Sequence, residues 1–292
     1  MRALVIKTLL HFFALFPLST VHTIATFLGR KIALRPSLRL TQVTRTNICL
    51  CFPHLSPTAQ ESLVKESLIE TCKAFSELGA LWLWRVDRVL ALVREVSGEA
   101  CLRQALERGQ GVVLLTPHLG AWELAGLYAS SRYTLTALYR PPKLAGLHDL
   151  IHSARERAGG HFVPTDQSGV RALYKALRQK QVVGILPDQI PSDASSGVFA
   201  PFFGKPAYTM VLVYRLVRKT GAAVIFTYAE RLPQGFHLHF LPAPANMMAE
   251  NVEVAVGALN QGVERCVRNC TAQYQWSYKR FKRRPEGTVS VY

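Results

Sequence analysis

The stretch VVLLTPHLGAWE, residues 112–123, decides how the chain is interpreted, because it combines a strand, a turn and two ionisable side chains. Its apolar run over 112–115 predicts a buried β-strand, which a Thr-Pro pair ends. The following AWELAGLYAS has the composition of a helix. His118 therefore lies at a strand-to-helix turn, and Glu123 lies near the start of the helix. Ligands bind at such strand ends in open α/β sheets, so the two residues form a candidate catalytic pair.

Strands and helices alternate along the chain on the C-terminal side of residue 98. We predict strands over 112–116, 134–140, 161–164, 182–187, 222–229 and 236–241, helices over 99–108, 121–130, 144–158, 168–179, 208–219 and 251–270, and a loop over 188–207. One long helix is predicted over 58–84, with Thr58 and Glu61 as a capping box. Such alternation predicts an α/β fold with a mostly parallel central sheet flanked by helices.

Residues 3–28 form an apolar segment at the N-terminus, long enough to cross a bilayer although polar residues and Pro17 interrupt it. Three interpretations stay open: a membrane helix that spans the bilayer or lies in its interface, a cleaved signal peptide, and a soluble helix packed on the domain. We favour the membrane helix. We therefore divide the chain into an N-terminal membrane-anchoring helix, 1–30, and an α/β domain, 31–292.

The charge of the chain indicates a polyanionic partner. The 292 residues include 35 Lys and Arg against 19 Asp and Glu, a formal net charge of +16. The mean hydropathy of +0.12 favours anionic lipid over nucleic acid, and no strand interleaves basic and aromatic residues as nucleic-acid binding would require. Arg30, Lys31 and Arg35 follow the apolar segment, and positive charge beside a membrane segment favours the cytoplasmic side.

Several catalytic motifs are absent from the sequence, and their absence narrows the chemistry. We find no GxSxG, no P-loop, no HExxH and no CxxC in the sequence. The absence of these motifs argues against a hydrolase, an NTPase, a metalloprotease and a redox enzyme. His118 remains as a general base for which Glu123 would fix the tautomer and stabilise the imidazolium. Such a pair would deprotonate a substrate hydroxyl and direct it onto an activated acyl group. A histidine held in a turn for purely structural reasons is the alternative.

Motifs in several separate places give this pair a context. They are TPHLGAWELAG, LYRPPKLAGLHDLIHSARERAGGHFVPTDQSGVRALYKAL, VVGILPDQ, GVFAPFFGKPAYT and QYQWSYKRFKRRP. Together they resemble the bacterial lipid A late acyltransferases, the lauroyl/myristoyl transferase family of the lysophospholipid-acyltransferase-like superfamily. The resemblance implies a glycerolipid-acyltransferase-like fold on the cytoplasmic side of the inner membrane. It also implies acyl carrier protein as the acyl donor, an anionic glycolipid acceptor, and no cofactor or metal.

The resemblance also assigns roles at other strand ends. The HxxxxD/E motif of the family falls on His118 and Glu123, its Tyr-Arg-Pro element includes Arg140, and its aspartate falls on Asp188. Arg140 would bind a phosphate or stabilise an oxyanion, or form a surface salt bridge. Asp188 would hold Arg140 or line the acceptor pocket, or cap the next segment. Arg171 would reach a lipid phosphate, or belong to a solvated helix face.

The chain departs from the family pattern at two positions. The family often has an acid two residues after its aspartate, where this chain has Ile190, and a C-terminal histidine, where it has Tyr278. Both departures concern the acceptor rather than the catalytic pair. The basic run over 279–284 predicts a surface for a membrane or for the carrier protein.

Three functions therefore remain open. The first is acyl transfer from acyl carrier protein to a lipid A precursor. The second keeps this chemistry and changes the acceptor to another glycolipid or specialised lipid. The third is a non-catalytic, basic protein that binds a membrane surface, and this hypothesis gives no reason for the HLGAWE turn.

Overall fold

A computed structural model describes residues 1–191, 193 and 195–292. In this part of the chain the α-helices are α1 (Arg2–Ala14), α2 (Leu18–Ala33), α3 (Arg39–Cys51), α4 (Pro57–Ser76), α5 (Leu78–Leu83), α6 (Val86–Leu90), α7 (Ala100–Glu107), α8 (Trp122–Arg132), α9 (His148–Glu156), α10 (Gln167–Arg178), α11 (Leu212–Thr220) and α12 (Val252–Asn269). The strands are β1 (Val93–Ser97), β2 (Val112–Leu115), β3 (Leu135–Tyr139), β4 (His161–Pro164), β5 (Val182–Ile185), β6 (Gly197–Phe202), β7 (Lys205–Met210), β8 (Ala223–Leu232) and β9 (Gly235–Pro242).

Seven strands form the central sheet, in the order β1-β9-β8-β2-β5-β3-β4. β2 is the middle strand, parallel to β5 on one side and to β8 on the other, and β3 and β4 continue the parallel set. β9 runs antiparallel to β8, and β1 pairs with β9. The prediction of a mostly parallel central sheet is confirmed. β1 is not predicted from the sequence, because its VREVS run is polar and largely exposed.

Helices cover both faces of this sheet. One core cluster packs α3, α4, α10, α11 and α12 on one face, and another packs α5, α6, α7 and α8 on the other. Every residue of β2 is buried. A strand covered on both faces has no solvated side, and for this reason its sequence is a continuous apolar run rather than an alternation.

The predicted helix over 3–28 is instead two helices, α1 and α2. Pro17 lies at the N-cap of α2 with φ −56° and ψ 146°, because proline can begin a helix but cannot continue one. Among the described residues, no helix is both long and apolar enough to cross a membrane. The predicted domain boundary at residue 30 falls inside α2.

The two N-terminal helices pack against the helices that precede the sheet. The Trp84 indole donates a hydrogen bond to the Ala14 carbonyl at 2.7 Å. A Cβ at Gly79, in α5, would lie 2.5 Å from the Leu10 carbonyl oxygen, so only glycine permits this approach of α1. The predicted helix over 58–84 is interrupted at Glu77, where α4 gives way to α5.

The second half of the predicted loop over 188–207 belongs to a β-hairpin, β6–β7, which extends to Met210, past the predicted helix start at 208. Pro201 faces Pro206 across this hairpin, and prolines usually mark a segment as non-strand. Phe203 and Gly204 form its turn, with φ of 48° and 71°, as a type I′ turn requires. Ser192 and Ala194, in the same predicted loop, lie outside the described residues.

Two predicted helix caps also differ from the structure. Ser56 rather than Thr58 caps α4, because Pro57 occupies the first helical position and fixes the start of the helix. Asp166 caps α10, and Ser168, the predicted cap, donates its backbone N–H to the Asp166 carboxylate at 2.8 Å. In both cases a side chain upstream of the predicted cap accepts the free N–H groups.

Candidate active site

His118 meets Asp188 because two neighbouring strands end in the same register. Leu115 of β2 lies opposite Ile185 of β5. Each of the two site residues follows its strand end by three positions, so the parallel register carries them to the same place above the sheet. The His118 ring Nδ1 lies 2.9 Å from Asp188 Oδ1, and the His118 backbone N–H donates to Asp188 Oδ2 at 3.0 Å. Asp188 therefore fixes both the ring and the turn.

The hydrogen bonds of His118 define its tautomer. Burial by itself raises the pKa of Asp188, but the neighbouring His118 ring and the hydrogen bonds from His118 outweigh it and hold the pKa below its usual value. An ionised Asp188 accepts the Nδ1–H, so Nε2 carries the lone pair. The Gln189 side-chain amide donates to Nε2 at 3.1 Å. A histidine arranged in this way is ready to act as a general base.

Glu123 does not supply the orienting hydrogen bond that the sequence predicts. Its carboxylate accepts bonds from Arg155, one of them at 3.0 Å, and from the Trp82 indole at 3.2 Å. Burial raises the pKa of Glu123, but the Arg155 charge and these hydrogen bonds lower it below its usual value. Glu123 points to Arg155 because a buried carboxylate needs a cation, whereas the His118 ring already contacts Asp188.

The C-terminal segment after α12 forms a wall beside the His118 turn. The Gln275 backbone N–H donates to the His118 carbonyl at 2.9 Å, and the Gly120 N–H donates to the Gln273 carbonyl at 3.1 Å. Gly120 has φ 59°, and a Cβ there would lie 2.0 Å from the Ala229 carbonyl oxygen. The turn that carries His118 is therefore clamped between β8 and the C-terminal segment.

An apolar cavity lies beside the turn. Thr116, Trp122 and Glu123, the neighbours of His118 in the chain, line one part of it, and the Arg155 guanidinium lies there too. The other walls are apolar and come from α5, α8, α9 and strands β2 to β5: Leu81, Leu114, Gly126, Leu127, Leu135, Ala137, Ala154, Phe162 and Ile185. Such a cavity fits a hydrocarbon chain rather than a polar ligand.

Comparison with known proteins shows the family of the chain. Residues 3–283 match the family described as bacterial lipid A biosynthesis acyltransferase. The chain belongs to this family. It is similar to the lipid A biosynthesis lauroyltransferase of Escherichia coli (strain K12), with 29% identity over 279 residues, 94% of this chain and 90% of that protein. It is also similar to the palmitoleoyltransferase of the same organism, with 29% identity over 272 residues, 91% of this chain and 87% of that protein.

A relative outside lipid A biosynthesis matches part of the chain. The phosphatidylinositol mannoside acyltransferase of Mycobacterium tuberculosis (strain ATCC 25618 / H37Rv) is 30% identical over 184 residues, 59% of this chain and 58% of that protein. The family and these relatives make this protein an acyltransferase, as the resemblance implies. The hypothesis of a non-catalytic membrane-surface protein is therefore wrong.

The other predicted site residues, Arg140 and Arg171, are both exposed. Arg140 follows β3 and is exposed; its positive charge lowers the pKa of Tyr278, which burial raises overall. The Tyr278 hydroxyl accepts the Ile190 N–H at 3.0 Å, so the two departures from the family pattern contact each other. Arg171 is exposed on α10, and no described contact joins it to His118.

The predicted basic surface over 279–284 is only partly a surface. Arg280 is 2% exposed and donates to the Tyr208 carbonyl at 2.7 Å and to the Thr209 hydroxyl at 2.6 Å. It is a buried structural residue that fixes the C-terminal segment against β7. Lys282 is exposed.

Several residues of the site are not predicted from the sequence. Arg155 and Trp82 approach Glu123 from α9 and α5, and Gln189 and Gln275 approach the His118 turn from two loops. The sequence indicates only Gln189, because this residue directly follows Asp188. The others come from elements distant in the chain, and only the folded structure brings them together.

Proposed function

We propose that this acyltransferase moves a fatty acyl chain from acyl carrier protein to a hydroxyl of a lipid A precursor at the cytoplasmic face of the bacterial inner membrane. The observation that carries the proposal is the contact of the His118 ring with the buried Asp188 carboxylate beside an apolar cavity. The lauroyl- and palmitoleoyltransferase relatives act in lipid A biosynthesis, and they support this acceptor and a fatty acyl donor.

In the proposed mechanism, His118 Nε2 removes the proton of the acceptor hydroxyl as its oxygen attacks the carbonyl carbon of the acyl thioester. The new C–O bond forms first, and the C–S bond breaks as the tetrahedral intermediate collapses. The imidazolium then returns its proton to the departing thiolate. Asp188 stabilises the imidazolium through Nδ1–H. General-base catalysis of this kind contributes about 10²–10⁴-fold in rate.

The cavity supplies the binding site for the acyl chain in this proposal. Its apolar walls would bury the hydrocarbon chain, at about 0.8 kcal/mol for each methylene group. Glu123 and Arg155 lie where the cavity approaches the His118 turn, so their ion pair would position the thioester end of the chain. Glu123 is then a positioning residue for the donor, and Asp188 orients the base.

Arg140 and Arg171 would contact the acceptor. Arg140 lies at the end of β3, on the same edge of the sheet as the catalytic pair, and a guanidinium suits the phosphate groups of an anionic glycolipid. Arg171, exposed on α10, would bind a phosphate farther from the reacting hydroxyl. Apart from the carrier protein's thioester, the proposed reaction uses no cofactor and no metal.

The test is acyl transfer by purified full-length variants with acyl carrier protein donors and a lipid A precursor. We expect His118→Ala and Asp188→Asn each to lower kcat by about 10²–10⁴-fold, with little change in KM for the donor. Asp87→Asn, at an exposed aspartate of α6, is the matched control. Wild-type turnover in Asp188→Asn, with the protein folded, would contradict the assignment of the orienting carboxylate.

The similarity to a phosphatidylinositol mannoside acyltransferase favours one second candidate, the same chemistry on another glycolipid. The two candidates differ in the acceptor and share His118 and Asp188. Mass spectrometry of lipid A from cells that lack the gene separates them. Loss of one acyl chain supports the lipid A precursor, and an unchanged acylation pattern supports the second candidate.

A further inference from the structure

Two histidines and a glutamate meet on the β8–β9 hairpin, away from the catalytic pair. His237 and His239 are alternate residues of β9, and alternate residues of a strand point to the same face. Glu230 of β8 lies directly opposite His237 in the antiparallel register. Directly opposed residues have Cβ atoms about 4.5–5.5 Å apart. The strand register therefore places three side chains that carry metal-binding atoms next to one another on one face of the sheet.

The side chains converge in the way that this register predicts. His239 Nε2 lies 2.9 Å from Glu230 Oε2, and the His237 and His239 rings are 3.8 Å apart between centroids. One ligand atom from each of the three residues lies within 4.8 Å of the other two. A tetrahedral zinc ion with bonds of 2.0–2.2 Å needs ligand atoms about 3.3–3.6 Å apart. Small side-chain rotations close this difference.

Neighbouring residues hold the two rings in place. The Tyr228 ring stacks on His239, with centroids 4.6 Å apart and an interplanar angle of 13°, and the Tyr228 hydroxyl accepts a hydrogen bond from Asn269 at 2.9 Å. Ser97 Oγ lies 2.8 Å from His237 Nε2. Rings fixed before the ion arrives lose less conformational freedom on binding it.

We propose that the β8–β9 hairpin binds one zinc ion through Glu230, His237 and His239. Two imidazoles and one carboxylate form a ligand set that zinc accepts in proteins. Glu95 of β1 is placed to complete the coordination, because its Oε1 lies 3.5 Å from His237 Nε2. Two carboxylates would then balance the charge of the ion.

A zinc ion bound here would have a structural role. It would join β8 and β9 to β1, the edge strand that the sheet holds on one side only. Glu230 is adjacent to Ala229, whose carbonyl accepts the Ala121 N–H at 2.8 Å below the His118 turn. The ion would therefore stabilise the strand that supports this turn, without contact with His118.

The test is zinc binding by the purified full-length protein after removal of metals with EDTA and desalting. Competition with a chromophoric chelator measures affinity and stoichiometry, and thermal unfolding with and without Zn²⁺ measures stabilisation. We expect one zinc ion per chain and a higher Tm with zinc. His239→Ala and Glu230→Gln should each lower the affinity at least about 10–100-fold, since even outer partners of a metal site contribute that much.

Two histidine variants serve as controls. His161→Ala, at an exposed histidine that begins β4, should bind zinc as the wild type does, and so should His118→Ala, which tests for binding at the catalytic histidine. If His239→Ala does not fold, Glu230→Gln still carries the test, because it keeps the shape of the side chain. The proposal is overturned if no saturable binding occurs, if both ligand variants bind normally, or if His118→Ala alone abolishes binding.

Discussion

Two buried carboxylates lie close to His118, and their partners give them different roles. Asp188 contacts the imidazole, whereas Glu123 contacts a guanidinium and an indole N–H. The pKa of each is lowered against the effect of burial, so both are ionised at neutral pH. Sequence spacing favours Glu123 as the partner of the base, but hydrogen-bond geometry favours Asp188.

A double-mutant cycle on Glu123 and Arg155 tests this division at the level of single residues. If Glu123 acts through Arg155, then Glu123→Gln, Arg155→Gln and the double variant should show similar losses of kcat/KM. Their coupling energy should lie within about 0.5–3 kcal/mol. Additive losses would instead show that Glu123 has a separate partner in catalysis.

The exposed pair Arg45–Glu61, joined at 2.6 Å, is a matched control for this cycle. Both pairs are bidentate, but the surface pair lies outside the site. Because exposed ion pairs contribute about 0–1 kcal/mol, Glu61→Gln should leave kcat/KM unchanged. A large loss there would mean that charge changes anywhere on the molecule affect the assay.

Helix α8 lines the cavity in which we propose that the acyl chain binds. Gly126 lines this cavity, and a Cβ built there meets no atom within 4 Å. We expect Gly126→Leu to shift the preference toward shorter acyl chains and to lower kcat/KM for the longest accepted donor about tenfold or more. A series of acyl carrier proteins with donors of increasing length measures this shift.

Gly257 of α12 gives the control for this substitution, because it is also a helical glycine with open space around its Cβ, and it is not among the residues that line the cavity. Leucine at either position gains about 1 kcal/mol of helix propensity. Gly257→Leu should therefore keep the wild-type chain-length profile. An unchanged profile in Gly126→Leu would mean that the acyl chain binds elsewhere.

The sequence predicts best those elements whose burial is visible in a local pattern of apolar residues. Buried parallel strands such as β2 and β5 are short apolar runs, and the His118 turn follows from the end of one of them. The sequence does not show that β5 lies beside β2, and this neighbour relation makes Asp188 the partner of His118. The β6–β7 hairpin is missed because its facing prolines, Pro201 and Pro206, lie where a two-stranded ribbon tolerates them.

A buried ionic network joins the N-terminal helix α2 to the sheet. Glu77 contacts His22 of α2 at 2.9 Å, and Arg231 of β8 donates to Glu77 at 2.8 Å and to Glu70 at 2.6 Å. Burial raises the pKa of Glu77, but the Arg231 charge and hydrogen bonds from Arg231 and His22 hold it below its usual value. The network ties α2, α4 and β8 into one unit.

We expect Glu77→Gln to lower the free energy of unfolding by about 3 kcal/mol, the lower end of the cost of breaking a buried ion pair, because Glu70 still pairs with the buried Arg231 charge. A lowered pKa means that this contribution is complete above the unfolded pKa of about 4.3 and is lost as the pH falls through the folded pKa. Urea unfolding of wild type and variant should therefore differ at pH 7 and converge in acid. A constant difference would show that the charge of Glu77 is not the cause.

The outer face of α1 determines, in our proposal, how the whole molecule meets the membrane. Its exposed apolar residues are Leu4, Val5, Leu9 and Phe12, and Leu15 follows at its C-cap. The spacing of residues 5, 9 and 12 places them on one side of a helix, and the net charge of +16 would attract the anionic lipids of a bilayer surface. Apolar contact and charge would then act together.

We expect the double variant Leu9→Asp/Phe12→Asp to bind vesicles of anionic phospholipid about 100-fold more weakly, because burying two large apolar side chains contributes about 3 kcal/mol or more. Sedimentation with vesicles measures the binding. Added salt should weaken the wild type as well, since it screens the charge term. Val254→Asp/Val289→Asp, at two exposed apolar residues outside α1, is the matched control with the same change of charge. If it weakens binding as much as Leu9→Asp/Phe12→Asp does, net charge rather than the apolar face of α1 governs membrane attachment.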